Sequence, residues 1–272
     1  MRRNGQNDDS ARGKRNTQTG CKFSRTDAAT LTLTPNGIDS KATVIVRSGT
    51  QLNTVILTAA LTCALTTSGA GGLDTGSEAD NKGYYVFLIT QPNGKVPKLL
   101  CSLSATNPTM PSGYPFRSDP IWFISNNGDG DIRPFIDVNG TCFYNATGDT
   151  AALSIGLAYS GWAAIDLSVI APVNSIGHFY GYCRSKQNSG TWNNVRFHTN
   201  DDDATDSTFW NVLFTFVIRS ANASPGQHQS MTWPIGSNAA ESMYYKWTNN
   251  PGSDAGSYPP RMMLWCRGWR LK

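Results

Sequence analysis

The sequence predicts an all-β protein: an antiparallel β-sandwich, jelly-roll-like, with an extended N-terminal arm. Three observations predict it. Charged residues make up only 15% of the chain, and glutamate occurs just twice, at Glu78 and Glu241. Helix surfaces draw heavily on Glu and Lys, so this scarcity argues against helices. Eight Trp, ten Tyr and eleven Phe suit the pleated, half-buried surface of a sheet. Apolar residues also recur at every second position, in runs broken by Gly, Pro and Asn at roughly 8- to 12-residue intervals, the pattern of a sandwich or jelly roll. A chain of 272 residues can bury a sizeable core.

The first element is the arm. Met1 to Gly20 has almost no apolar side chain and cannot offset the entropy of ordering itself. Residues 1–25 carry Arg2, Arg3, Arg12, Lys14, Arg15, Lys22 and Arg25 against Asp8 and Asp9, a balance of +5 in a chain of net charge +4. The sixteen basic and seventeen acidic residues that remain leave the body nearly neutral, at −1. The chain is thus read as a basic, flexible attachment arm at 1–28 and a β-sandwich body at 29–272. Two packed halves, 29–170 and 171–272, stay open as an alternative within the body. The seven basic residues form the expected anchoring set, since gathered charge attracts an acidic surface at long range. A plain solvated tail is the alternative. A nucleic-acid-binding arm would need denser Arg and Lys, so nucleic acid is not an expected partner.

In the body, Leu31 and Leu33 alternate with Thr32 and Thr34 and lead to a turn at Pro35-Asn36-Gly37. Ala42 to Arg47 sets Val44 and Val46 on one face and Thr43 and Ile45 on the other. Val55-Ile56-Leu57 begins a segment expected to continue through Leu61, Cys63 and Leu65. Ser68 to Gly76 reads as a flexible connector: its glycines lack the Gly-Lys-Ser/Thr ending of a phosphate loop and precede a strand. Tyr84 to Thr90 is apolar on both faces, the mark of a central strand covered on each side. Gln91-Pro92-Asn93-Gly94 turns the chain, and Leu99, Cys101 and Leu103 return with one face in the core. Pro108, Pro111, Pro115 and Pro120 stiffen the loop that follows, forbid regular pairing, and hold Tyr114 and Phe116 for core closure or subunit contact.

Beyond Ile121-Trp122-Phe123-Ile124, the stretch Asn126 to Asp131 has the oxygen-rich look of a calcium loop. Val138 stands where a bidentate Glu would be needed, so a plain turn is expected. Asn139-Gly140, between Phe135–Val138 and Thr141–Tyr144, is the strongest hairpin signal in the chain. Leu153, Ile155 and Leu157 alternate, and an apolar run extends from Trp162 to Ile170. Ile176, His178, Tyr180 and Tyr182 form one face of a strand whose other face holds Gly177, Phe179, Gly181 and Cys183. His178 is read there as a strand residue with a satisfied hydrogen bond. Ser185–Ser207 and Ser220–Gln229 read as polar loops. Strands are expected at Phe209–Ile218, Met243–Trp247 and Met262–Leu271, the last buried on one side with an edge or subunit contact on the other. The expected core includes Tyr85, Phe87, Leu99, Cys101, Trp122, Phe214 and Phe216.

The stretch from Gly72 to Phe143 also carries a resemblance. Leu73-Asp74-Thr75-Gly76-Ser77-Glu78-Ala79 leads into Tyr84-Tyr85-Val86-Phe87-Leu88-Ile89. Leu99-Leu100-Cys101-Ser102-Leu103-Ser104-Ala105-Thr106, Pro108-Thr109-Met110-Pro111-Ser112-Gly113-Tyr114 and Ile121-Trp122-Phe123-Ile124 follow in order. This pattern resembles a family of tailed-phage and prophage virion surface proteins: tail-fibre, head-fibre and capsid decoration proteins. The resemblance implies a virion structural protein, assembled in the bacterial host cytoplasm and displayed on the particle. It implies a homotrimer that contacts other virion proteins, of capsid or tail, through the N-terminal segment. Lack of a repeat, shaft or coiled coil favours capsid decoration or head fibre. A tail-fibre component recognising a host-surface glycan is the alternative, followed by a jelly-roll capsid protein with a nucleic-acid-binding arm.

The motif contains no catalytic residue, and the rest of the chain supplies none. His178, His198 and His228 are scattered, and no Ser lies in a Gly-x-Ser-x-Gly elbow. Cys21, Cys63, Cys101, Cys142, Cys183 and Cys266 lie far apart, away from zinc-ligand spacing. Glycosidase-type carboxylate pairs reduce to Asp129 with Asp131 and Asp202 with Asp206, in turns where Asp is expected anyway. Trp192, Trp210, Trp233 and Trp247 are the sugar-stacking candidates of a lectin or carbohydrate-active reading. No catalytic residue, cofactor or metal site is assigned, and the protein is not expected to be an enzyme. No leader-like or membrane-length apolar run is present. Folding is therefore expected in a reducing cytoplasm, with cysteines as small buried hydrophobes and no membrane partner; disulfides formed later, where a particle meets oxidant, are the alternative.

Overall fold

Alternation of β-branched, aromatic and leucine side chains with polar ones gives twenty strands, all paired antiparallel, and no α-helix among the described residues. Those residues are 18–145, 151–155, 163–184, 192–198, 214–219, 227–235, 244–247 and 261–271 of a computed structural model. The first strands are β1 (Gln18–Thr19), β2 (Cys21–Arg25), β3 (Thr30–Pro35), β4 (Ala42–Ser48), β5 (Gln51–Leu57) and β6 (Leu61–Ala64). The middle of the chain forms β7 (Gly83–Thr90), β8 (Lys98–Ser102), β9 (Phe116–Arg117), β10 (Trp122–Ser125), β11 (Phe135–Val138) and β12 (Thr141–Tyr144). Then come β13 (Ala151–Ile155), β14 (Ala163–Ala164), β15 (Ser175–Arg184) and β16 (Trp192–His198). The last four are β17 (Phe214–Arg219), β18 (Gln227–Pro234), β19 (Tyr244–Trp247) and β20 (Arg261–Leu271).

A seven-stranded sheet runs β1-β4-β9-β7-β10, with β5 on β4 and β8 on β7. A six-stranded sheet runs β11-β12-β20-β15-β18, with β13 also on β20. Smaller sheets are β14-β19-β16-β17 and β2-β3-β6. The all-β, antiparallel sandwich class read from the sequence is the class the chain has.

β7 is the central strand its composition demands. Tyr84 to Thr90 are all buried, and β8, β9 and β10 flank the strand. Trp122 of β10 is where three sheets meet. Its ring stacks on Phe23 of β2 at 4.7 Å and 12°, lies 4.8 Å from Trp269 of β20, and lies 5.7 Å from Phe135 of β11. Aromatic contacts of this kind add about 0.5–1.5 kcal/mol each beyond their buried area. Tyr85, Phe87, Leu99, Cys101 and Trp122 are all buried, as expected. Phe214 and Phe216 lie on β17, but their side chains fall outside the described ones.

Several expectations are corrected. Among the described residues pairing is present from Gln18: β1 pairs with Thr43 and Val44, and β2 pairs along its length with β3. Residues 18–25 thus belong to the sheets, ahead of the expected body start at Ala29, because Phe23 is buried against Trp122 despite its polar neighbours. The segment from Val55 to Leu65 is two strands, β5 and β6, in different sheets. β8 is buried on both faces, with Leu100 and Ser102 covered and Leu103 left exposed. Ser68–Gly76 is a pinned strap: Gly71 N–H donates to Leu99 O, Asp74 N–H to Cys101 O, and Cys101 N–H to Gly72 O. Within the proline loop, Arg117 of β9 pairs with both Arg47 and Ile89.

In the second half, the run from Trp162 keeps only β14 as strand among its described residues. It then turns, with Ile170 and Ala171 N–H both on Leu167 O. The polar stretch Ser185–Ser207 contains β16, and β18 occupies residues read partly as loop. β20 is interior to its sheet, with β12 and β13 on one side and β15 on the other. Leu157, Phe209 and Met243 lie outside the described residues.

Candidate functional site

Asn139 (φ 52°) and Gly140 (φ 78°) close the β11–β12 hairpin with the two positive φ values that a tight two-residue turn needs. The turn faces the bend between β1 and β2. Between them and the end of β20 lies a cleft of ≈ 580 Å³, lined by Gln18, Lys22, Trp122, Asp137, Asn139 and Arg270 among others. Asp137 is 8% exposed. Its Oδ2 accepts the Phe23 N–H at 2.8 Å and its Oδ1 accepts the Gly140 N–H at 2.9 Å. Burial raises its carboxyl pKa, with the two amides and Lys22 pulling the other way. Burial, followed by the Asp137 charge, pushes the Cys21 thiol up to about 12. Gln18 Nε2 donates to Ile121 O at 2.8 Å, while Gln18 Oε1 and Trp122 Nε1 are buried without a protein partner.

Beside the cleft, β15 buries Gly177, Phe179 and Gly181 and leaves Ile176, His178 and Tyr180 partly exposed. Opposite them β20 is bulged: the register shifts between His178 and Phe179, whose partners are Gly268 and Cys266. Only glycine fits at 268, because a Cβ there would lie 1.9 Å from Cys142 O. The Arg267 guanidinium lies 5.1 Å from the Tyr180 ring centroid, a contact of about 0.5–1 kcal/mol when exposed. Tyr180 lies 5.8 Å from Trp265, and Phe143 stacks 6.0 Å from His178. Phe143, His178, Tyr180, Trp265 and Arg267 form a partly exposed row that exposed Arg270 carries to the edge of the cleft. Burial and Arg270 lower the His178 pKa, favouring its neutral form. Aromatic side chains and arginine are the types enriched at protein interfaces and their hot spots.

Of the expected anchoring residues, Arg2, Arg3, Arg12, Lys14 and Arg15 lie outside the described residues. Lys22 lines the cleft, whereas Arg25 donates from Nε to Asp27 O at 2.9 Å. The Asn126–Asp131 stretch is a turn in which Asn127 Oδ1 accepts the N–H groups of Asp129 and Asp131, each at 2.9 Å. Among the described residues no group of three His, Cys, Asp or Glu side chains could hold a metal ion. Trp233 is 1% exposed, which removes it from the sugar-stacking candidates. Trp210, Asp202 and Asp206 lie outside the described residues, as do the side chains of Trp192, Trp247, His198 and His228. Phe116 is buried and Tyr114 packs on the core, so the proline corner closes the core.

Sequence reading missed Asp137 and Arg267. Asp137 beside Asn-Gly looks like any turn residue, and its partner Phe23 is far away in the chain. For Arg267 a signal existed: a lone glycine inside a strand pattern, Cys266-Arg267-Gly268-Trp269, marks a bulge. No protein-family model matches the chain, and no curated protein matches it.

Proposed function

We propose that this chain is a structural protein displayed on a bacteriophage particle, a capsid decoration or head-fibre protein acting by binding alone. The observation that carries the reading is the aromatic–arginine row on β12, β15 and β20, which adjoins the root of the N-terminal segment through Arg270. The row and the described root of the basic segment adjoin one cleft, and the partner proposed for both is another virion protein with an acidic surface. The Gly72–Phe143 pattern supports the phage assignment. Its strand aromatics Tyr84, Tyr85, Phe87, Trp122 and Phe123 are buried in the sandwich, so that part of the pattern is one of scaffold.

The homotrimer belongs to the same proposal. Among the described strands β5 pairs with β4 alone, and it exposes Leu52 (66%) and Ile56 (61%). An exposed apolar edge strand invites pairing unless a neighbour covers it, and a second copy is the cover proposed. The double variant Tyr180→Ser/Arg267→Ser tests the docking face. It should fold and remain trimeric by light scattering, yet fail to join particles assembled in its presence. Incorporation at the wild-type level would overturn the assignment of that face.

A further inference from the structure

Two thiols from different sheets meet in the core. Cys63 of β6 and Cys101 of β8 are both fully buried, and their sulfur atoms are 3.0 Å apart. That is inside the contact distance of two non-bonded sulfurs, and a disulfide needs a further approach of only about 1 Å. The Ser68–Gly76 strap lies over both. Cys63 Sγ–H donates to Gly72 O at 3.4 Å, and the Cys101 backbone exchanges hydrogen bonds with Gly72 and Asp74. Both strands are thereby held from the same side, and the sulfurs face each other with no side chain between them.

We infer that Cys63 and Cys101 are a latent cross-link, closed by oxidation, that ties the β2-β3-β6 sheet to the seven-stranded sheet. The oxidant is a small-molecule disulfide such as oxidised glutathione. One cysteine thiolate attacks it, expelling one small thiolate and leaving a mixed disulfide. The second cysteine's thiolate then attacks the protein sulfur of that bond and expels the other small thiolate. Two protein S–H bonds and the oxidant's S–S bond break. One protein S–S bond and two small-molecule S–H bonds form, with two electrons passing to the oxidant.

Access sets when this happens. The hydrogen bond with Cys63, together with burial, holds the Cys101 thiol well above its usual pKa, so Cys101 offers almost no thiolate in the native state, and both sulfurs are covered from solvent. The bond therefore forms only where the strap is open and an oxidant is present, as in refolding outside a reducing cytoplasm, and once formed it is shielded from reductants. It encloses residues 64–100, a loop whose restriction in the unfolded chain raises stability.

The test uses the full-length chain refolded from denaturant in a reduced/oxidised glutathione buffer, alkylated and digested with trypsin. Peptide Ser48–Lys82 should be recovered joined to Leu99–Arg117, each bearing a single cysteine. The cross-linked protein should melt above the same preparation refolded under reductant. Native, reduced protein in the same buffer should cross-link more than about tenfold more slowly, as expected for a buried thiol. Recovery of both cysteines as alkylated thiols after oxidative refolding, or of Cys101 joined to any other cysteine, would overturn the inference. The map is made on the wild-type chain, so it does not depend on any variant folding.

Discussion

Asp137, on the β11–β12 hairpin, accepts the backbone N–H of Phe23 at 2.8 Å and so fastens the chain's first strands to the six-stranded sheet. Its other oxygen holds Gly140 N–H in the hairpin turn. A carboxylate can serve both donors, whereas an Asn side chain offers one oxygen. Asp137→Asn should therefore destabilise the protein by about 1 kcal/mol, the net worth of one hydrogen bond, read as a lower thermal midpoint at neutral pH. An unchanged midpoint would mean that the contact is immaterial.

The same carboxyl makes the stability depend on pH. Its folded pKa is raised, chiefly by burial, and Glu78 is raised for the same reason. A carboxyl with a raised folded pKa binds its proton in the native state before the unfolded one does. Stability from it thus grows as pH falls from neutral toward the ordinary carboxylate range of about 4. Asp27, lowered by its hydrogen bond from Ala29 N–H, acts in the opposite direction but is fully exposed. The midpoint advantage of wild type over Asp137→Asn should widen between pH ~7 and pH ~4.5. A constant or shrinking difference would contradict the assigned shift.

Phe23 is the buried contact of the reassigned strand β2. Removing its ring leaves a cavity against Trp122, so Phe23→Ala should cost about 3–5 kcal/mol in denaturant unfolding. A loss below 1 kcal/mol would place residues 21–25 outside the core after all.

Two glycines separate a turn requirement from a packing requirement. At Gly140 a Cβ meets nothing within 4 Å, so Gly140→Ala bears only the positive-φ penalty, about 1–2 kcal/mol. At Gly268 the added atom strikes the Cys142 carbonyl oxygen, and the bulge that places Arg267 over Tyr180 cannot persist. Gly268→Ala should lower the midpoint far more than Gly140→Ala. Equal effects would refute the bulge.

Much of the scaffold was legible because it is written locally. Tyr84 to Ile89 needs no partner to announce a strand covered on both faces, and Asn139-Gly140 specifies its own turn. The errors fall where distant contacts decide. Phe23 reads as one apolar residue in a polar arm until Trp122 is placed beside it. The Ser68–Gly76 strap reads as flexible until its amides find Leu99 and Cys101. β18 hides because Gln227-His228-Gln229-Ser230 has little apolar signal and is held by pairing with β15. The candidate site was the least legible part, since the row joins β12, β15 and β20 across a bulge, and its side chains read individually as ordinary strand residues.

Membership of a phage particle, the role proposed for the chain, is read from the protein composition of that particle. Phage particles raised from cells carrying the coding sequence within a phage or prophage genome would be banded by density and their proteins quantified by mass spectrometry. The chain should be present at a fixed ratio to the major capsid protein, and a version lacking residues 1–17, which keeps every described strand, should stay folded yet leave the band. Particles that carry none of the full-length chain, with the protein remaining in the soluble fraction, would contradict the account.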